Sequence, residues 1–134
     1  IISIQQNNTN FSVHTIYYNS MNFFMLKFQK RKLKMINSTY ENKSLTVFLN
    51  GEIDQHTSTS LRQEIDSQTE ALRPQKLSLD FSNVKFMDSS GIRLIMGRFR
   101  QMSLIGGKLE VVNLPLNLKR MVNLAGIQTL GVVK

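Results

Sequence analysis

A single α/β domain with a largely parallel sheet flanked by helices is the fold class this sequence predicts, on three observations. Short apolar or β-branched runs alternate with helix-period segments from residue 36 onward. The joints between them are short and carry turn or capping residues: Asn50-Gly51, Pro74, Asp88-Ser89, Gly106-Gly107, Pro115 and Gly126. The chain of 134 residues, 41% hydrophobic and 19% charged, suits one core rather than two.

The elements follow in order. Leu45-Thr46-Val47-Phe48-Leu49 has the β-branched and aromatic content of a strand, which Asn50-Gly51 is expected to close. Thr57 or Ser58 then caps a helix running to about Leu72, with Leu61, Ile65 and Leu72 at helical spacing and Pro74 beyond its end. Residues 77–81 read as a short apolar strand, central because little in it is charged. A second helix follows Asp88, with an apolar stripe of Ile92, Ile95, Met96, Phe99 and Met102, while Arg93, Arg98 and Arg100 lie mostly off it. Gly106-Gly107 ends that helix, and residues 109–112 form another strand. Pro115 suits the first turn of a last helix, with Leu118, Met121, Val122 and Leu124 apolar and Gly126 at its C-cap. Residues 127–133 are a final strand candidate. The scattered Met87, Met96, Met102 and Met121 read as core gap-fillers.

Residues 1–34 differ in kind, with no glycine, proline or acid and no sustained period of 2 or 3.6. Their apolar patch Met21-Asn22-Phe23-Phe24-Met25-Leu26 is too short to span a bilayer. The basic residues follow that patch, whereas a secretory signal places them before it. A weak membrane-surface anchor is the lesser reading. The stronger one takes Met35 as the natural start and residues 1–34 as read-through of AT-rich upstream DNA, disordered and without function. Codons for Lys30-Arg31-Lys32 fit a purine run resembling a bacterial ribosome-binding site just ahead of Met35.

Charge and composition then exclude several functions. The net charge of +8 sits largely in Lys27, Lys30, Arg31, Lys32 and Lys34, and the rest of the chain carries only +3. Such a run reads as a solvated tail, so nucleic-acid binding through it and Arg93, Arg98 and Arg100 is a minor alternative. With no cysteine there is neither a disulfide framework nor a thiolate zinc site, and His14 and His56 lie far apart, so no metal and no cofactor is expected. Absence of cysteine also fits a cytoplasmic protein. No G-x-S-x-G, P-loop or G-x-G-x-x-G is present, which argues against an enzyme.

The run Asp88-Ser89-Ser90-Gly91 lies where an extended segment gives way to a helix. Helix starts expose unpaired N–H groups and the positive end of the dipole, so a serine there can carry a phosphate without melting the fold. Ser and Asp are also the commonest N-caps, and a plain cap is the simpler reading of these residues alone.

The longer segment Asp80-Phe81-Ser82-Asn83-Val84-Lys85-Phe86-Met87-Asp88-Ser89-Ser90-Gly91-Ile92 closely resembles the signature of STAS domains. Within that family it looks most like the anti-sigma F factor antagonists of spore-forming bacteria. Gly51-Glu52-Ile53-Asp54-Gln55-His56-Thr57 resembles the family's first loop, which leads into its first helix. Gly97-Arg98-Phe99, Ile105-Gly106-Gly107 and Leu118-Lys119-Arg120 fall at matching intervals. The resemblance runs collinearly over about residues 36–134, and residues 35–134 are taken as the domain.

It implies a small mixed, mostly parallel sheet flanked by helices, and a binding protein rather than an enzyme. It implies as partners an anti-sigma factor that is also a serine kinase, and a serine phosphatase, with no direct nucleic acid and no membrane. Phosphorylation falls on the first serine of the motif, Ser89, with Ser90 a minor site. The expected partner surface comprises Glu52, Asp54, Gln55, His56, Asp88, Ser90, Gly91 and Arg93. Within it, Asp88 either orients the Ser89 hydroxyl or, as the favoured reading, hydrogen-bonds the loop. Ser90 is expected to cap the helix, and Gly91 either lets a partner approach or eases the turn. His56 is a partner contact or loop hydrogen bond rather than a catalyst. A general stress-response partner-switching complex is the alternative pathway. Family members continue into a further C-terminal helix, so an uncovered apolar face is expected after Lys134.

Overall fold

A computed structural model of the chain describes residues 2–3 and 36–134. The expectations for residues 1–34, including the read-through and membrane-anchor readings, fall on residues 1 and 4–34, outside the described residues, apart from the two-residue strand noted next.

The chain order is β1 (Ile2–Ser3), β2 (Ile36–Glu41), β3 (Ser44–Ile53), α1 (Gln55–Leu72), β4 (Lys76–Met87), α2 (Ser89–Leu104), β5 (Lys108–Val112), α3 (Leu116–Leu124) and a 3₁₀ turn, Ile127–Leu130. The strands lie in the sheet in sequence order. β2 is antiparallel to β1 and β3, whereas β3, β4 and β5 run parallel. This is the mixed sheet flanked by helices that the resemblance implied.

Register explains the core. Leu45 pairs with Leu77 and Val47 with Leu79, which in turn pair with Leu109 and Val111, so these side chains share one face. On the antiparallel side Ile36 faces Leu49 and Tyr40 faces Leu45. Leu61 and Ile65 of α1, Leu94, Ile95 and Met102 of α2, and Leu118 and Val122 of α3 close over this face in one buried cluster. Thr46, Ser78 and Glu110 form a matching row on the other face.

Several boundaries differ from expectation, each for a local reason. β2 is too polar to read as a strand, and is joined to β3 by Asn42-Lys43, both left-handed, in a two-residue hairpin turn. Asn50-Gly51 does not close β3. Gly51, at φ 83, lies within a pair of register shifts that kink the strand and let it run on to Ile53. β4 is far longer than residues 77–81, and its length past Asp80 extends beyond its pairing with β5. Residues 127–133 are not a strand. Gly126 and Gly131, both left-handed, bound the 3₁₀ turn, and only Val133 bridges to Val111.

The stripe of α2 also needs correction. Leu94 is buried and Met96 is exposed, and Arg98 lies inside rather than on the outer face. Its Nε sits 3.1 Å from Asp66 Oδ1 of α1, an ion pair between the two helices. Burial raises the Asp66 carboxyl against the pull of Arg98, and lowers the Arg98 guanidinium against the pull of Asp66. Large apolar side chains stay exposed at Phe86, Met96, Leu104, Ile105, Leu116 and Leu124.

Candidate functional site: two helix starts side by side

Because β3 and β4 are parallel, their C-terminal ends meet, and Ile53 and Met87 are the last paired residues. An aspartate follows each strand and caps the next helix: Asp54 for α1 and Asp88 for α2. The Asp88 N–H donates to the Ile53 carbonyl at 3.1 Å, which fastens the two joints together. Two helix N-termini therefore open at one end of the sheet, where α/β folds commonly place their functional groups.

The α1 start is a complete capping box. Asp54 Oδ1 accepts from the N–H groups of His56 (2.8 Å) and Thr57 (2.9 Å), and the Asp54 N–H donates back to Thr57 Oγ1 at 2.9 Å. Thr57 is thus the N3 partner of the cap rather than the cap itself, and its hydroxyl also donates to the Glu52 carbonyl at 2.9 Å. The Thr57 N–H, working against desolvation and helped by the His56 N–H, holds the Asp54 carboxyl below its ordinary range.

The α2 start is lighter. Asp88, not Ser90, is its N-cap, and Asp88 Oδ1 accepts from the Ser90 N–H at 2.7 Å. The Gly91 N–H donates to the Asp88 carbonyl at 3.0 Å. Ser89 is the first residue of the helix and is exposed, and its hydroxyl makes no hydrogen bond to another described residue. Ser90 turns inward, only 4% exposed, and its Oγ accepts from Arg93 Nη2 at 3.2 Å. Of the two serines, Ser90 is therefore the less accessible hydroxyl.

Gly91 is buried too, and its φ is not positive, so it presents no surface, and what it gives the turn is close approach rather than backbone freedom. A Cβ there would fall well inside contact distance of Met87 Cγ and Sδ. Glycine is what lets the first turn of α2 lie against the end of β4.

Of the expected partner surface, Glu52, Gln55, His56 and Arg93 are exposed beside Ser89, with Asp54 and Asp88 half-buried. Ser90 and Gly91 sit behind that surface and shape it. Phe86, 49% exposed, pairs in register with Glu52 and adds an apolar element that the sequence pattern assigned to no site. Its only signal was an aromatic side chain next to the exposed Lys85 near the strand end. Among the described residues no group of three or more His, Cys, Asp or Glu could hold a metal ion. None of their helices is long and apolar enough to cross a membrane.

A second polar cluster lies on the outer face of the sheet. Asp80 accepts from the Ser82 hydroxyl (2.7 Å), the Ser82 N–H (2.9 Å) and Asn113 Nδ2 (2.8 Å). Desolvation alone would raise its carboxyl, but these three donors together hold it below the ordinary range. Of these, the bond from Asn113 pins β4 to the segment after β5.

A parallel βαβαβ run with an exposed serine at the start of its second helix is the architecture of a STAS domain, and the chain belongs to that family, whose model matches residues 34–131. Among named relatives it is similar to the anti-sigma F factor antagonist of Paenibacillus polymyxa, 32% identical over 83 residues that cover 62% of this chain and 71% of the relative. The protein of the same name from Lysinibacillus sphaericus is 24% identical over 85 residues, covering 63% of this chain and 73% of that one. In fold the chain resembles the anti-sigma factor antagonist SpoIIAA in its unphosphorylated form, with a TM-score of 0.65 at 21% identity over 74% of this chain and 85% of that one. The phosphorylated form of SpoIIAA superposes with a TM-score of 0.60 at 21% identity, covering 74% and 88%. An anti-sigma factor antagonist from Mycobacterium paratuberculosis gives 0.66 at 23% identity, covering 73% and 82%.

Proposed function

We propose that this protein is an anti-sigma factor antagonist controlled by phosphate on Ser89. Unphosphorylated, it binds an anti-sigma factor that is also a serine kinase and so frees the sigma factor for transcription. Phosphorylated, it no longer binds productively, and a serine phosphatase resets it. The chain is the kinase's substrate in the cytoplasm and catalyses nothing itself. The names of its relatives support the role, and the observation that carries the choice of residue is the exposed Ser89 hydroxyl at the first position of α2, without a hydrogen bond among the described residues.

In the transfer, Ser89 Oγ attacks the γ-phosphorus of ATP held by the kinase. The new P–O bond forms as the bond to ADP breaks, and the hydroxyl proton passes to a base on the kinase. The chain supplies a hydroxyl on a rigid helix end, and the half-buried Asp88 anchors the turn beneath it. The product carries about −1.5 to −2 charges and three strong acceptor oxygens. The helix dipole accommodates them, so the fold persists. At the docked surface the same dianion faces the kinase's own nucleotide phosphates and must be desolvated. A loss of only about 3 kcal/mol there lowers affinity more than a hundredfold.

Glu52, Gln55, His56 and Arg93, with Phe86 beside them, form the rest of the docking surface in this reading. The test is phosphorylation by a purified anti-sigma factor serine kinase with γ-labelled ATP. Label is expected in the wild type and in Ser90→Ala, and none in Ser89→Ala. Undiminished label in Ser89→Ala would overturn the assignment.

A further inference from the structure

The geometry points to Arg93 as the intramolecular partner of a phosphate on Ser89, so that phosphorylation draws the guanidinium away from Ser90 and onto the phosphate. This rests on Ser89 being the phosphoacceptor and adds to it a second moving part.

Ser89 and Arg93 are four residues apart on α2, hence one turn apart on the same face. Both are exposed, so neither is held by packing. The Arg93 side chain already folds back toward the helix start, where Nη2 donates to Ser90 Oγ at 3.2 Å. That acceptor is a neutral hydroxyl, and the contact is a long one. A phosphate one residue earlier in the chain brings three anionic oxygens to the same turn, and guanidinium–phosphate pairs are shorter, bidentate and roughly twice as strong. The guanidinium reaches them by side-chain rotation alone, since α2 is anchored by Asp88 and by the packing of Gly91 on Met87.

The consequence is a change of shape as well as of charge. In the unphosphorylated chain Arg93 presents a cation beside a free hydroxyl. In the phosphorylated chain that cation is consumed by an adjacent dianion, so the partner loses an attractive group while gaining a repulsive one.

The test uses the full chain with phosphoserine installed at position 89 during translation, which makes it independent of any kinase. Phosphorus NMR then follows the second ionisation of the phosphate, ordinarily near pH 6, in the wild type, Arg93→Ala and Arg93→Lys. A neighbouring cation favours the dianion, so Arg93→Ala is expected to raise that pKa by about 0.3 to 0.7 of a pH unit. Arg93→Lys, which keeps the charge and loses the fork, should recover part of the shift. The difference should shrink in high salt. Equal pKa values in wild type and Arg93→Ala would overturn the inference. Refusal of Ser89 by the kinase would sink the proposed function while leaving this titration fully interpretable.

Discussion

The two helix starts at the end of the sheet begin alike and finish differently. Each follows a parallel strand, each is capped by an aspartate, and a backbone hydrogen bond joins them. At α1 the Asp54 carboxylate takes two N–H groups, and the Asp54 N–H donates to the Thr57 hydroxyl, so the box is closed from both sides. At α2 the Asp88 carboxylate takes one N–H, and the hydroxyl next to it is left for other chemistry. A reciprocal cap is a structural joint. In the proposed function, the lighter cap leaves Ser89 open to modification without dismantling the turn.

The comparison requires the two helices to keep a fixed relation, and the Arg98–Asp66 pair is the polar tie between them. Neither atom of that 3.1 Å contact makes a well-formed hydrogen bond, so the pair is held by charge rather than shape. Removing Asp66 strands a buried guanidinium, and Asp66→Ala is expected to destabilise by about 3 kcal/mol in urea unfolding. Replacing both partners with apolar residues, Asp66→Leu with Arg98→Met, should return most of that loss. A double variant as unstable as the single one would mean the pair does more than neutralise itself.

Gly91→Val comes next. It drives side-chain atoms into Met87 and should destabilise by about 2 kcal/mol. Ser89→Ala, two residues earlier and exposed, should stay within about 0.5 kcal/mol of wild type in the same measurement. Equal effects at the two positions would break the distinction between a residue that builds the turn and one that only rides on it.

The caps themselves follow. Asp54→Ala removes two accepted hydrogen bonds while keeping the backbone N–H bond to Thr57 Oγ1, and should lower the thermal midpoint by roughly 5 °C. Asp88→Ala removes one, and about half that shift is expected. The smallest effect is the pH dependence of the first cap. The folded-state pKa of Asp54 lies below its ordinary value of 3.8, so its ionised form favours folding. That contribution is complete above 3.8 and fades as pH falls through the folded value. The gap in thermal midpoint between wild type and Asp54→Asn should therefore be widest near neutrality and close in acid.

What was legible in the sequence followed from local chemistry. The alternation of apolar runs with helix-period segments identified β3, the three helices and β5, and Asp88-Ser89 marked the second helix start. What escaped depended on neighbours. β2 exposes Asn37 and Glu41 and reads as polar until Leu49 and Leu45 are placed opposite Ile36 and Tyr40. Gly51 looks like a terminator because a bulge and a turn use the same residue. Residues 127–133 have strand composition, but left-handed glycines at both ends of residues 127–130 wind them into a 3₁₀ turn. Charge sets Arg98 off the apolar stripe, and the carboxylate of Asp66 on another helix explains its burial. At the site, helical phase turned Ser90 inward and left Ser89 out, a difference of one residue that composition does not carry.

The most direct test of the account is a calorimetric titration of this chain, in its unphosphorylated and phosphoserine-89 forms, into the anti-sigma factor kinase proposed as its partner. The account predicts tight binding by the first form and at least a hundredfold weaker binding by the second, with both forms melting as folded domains. Equal affinity of the two folded forms would contradict it.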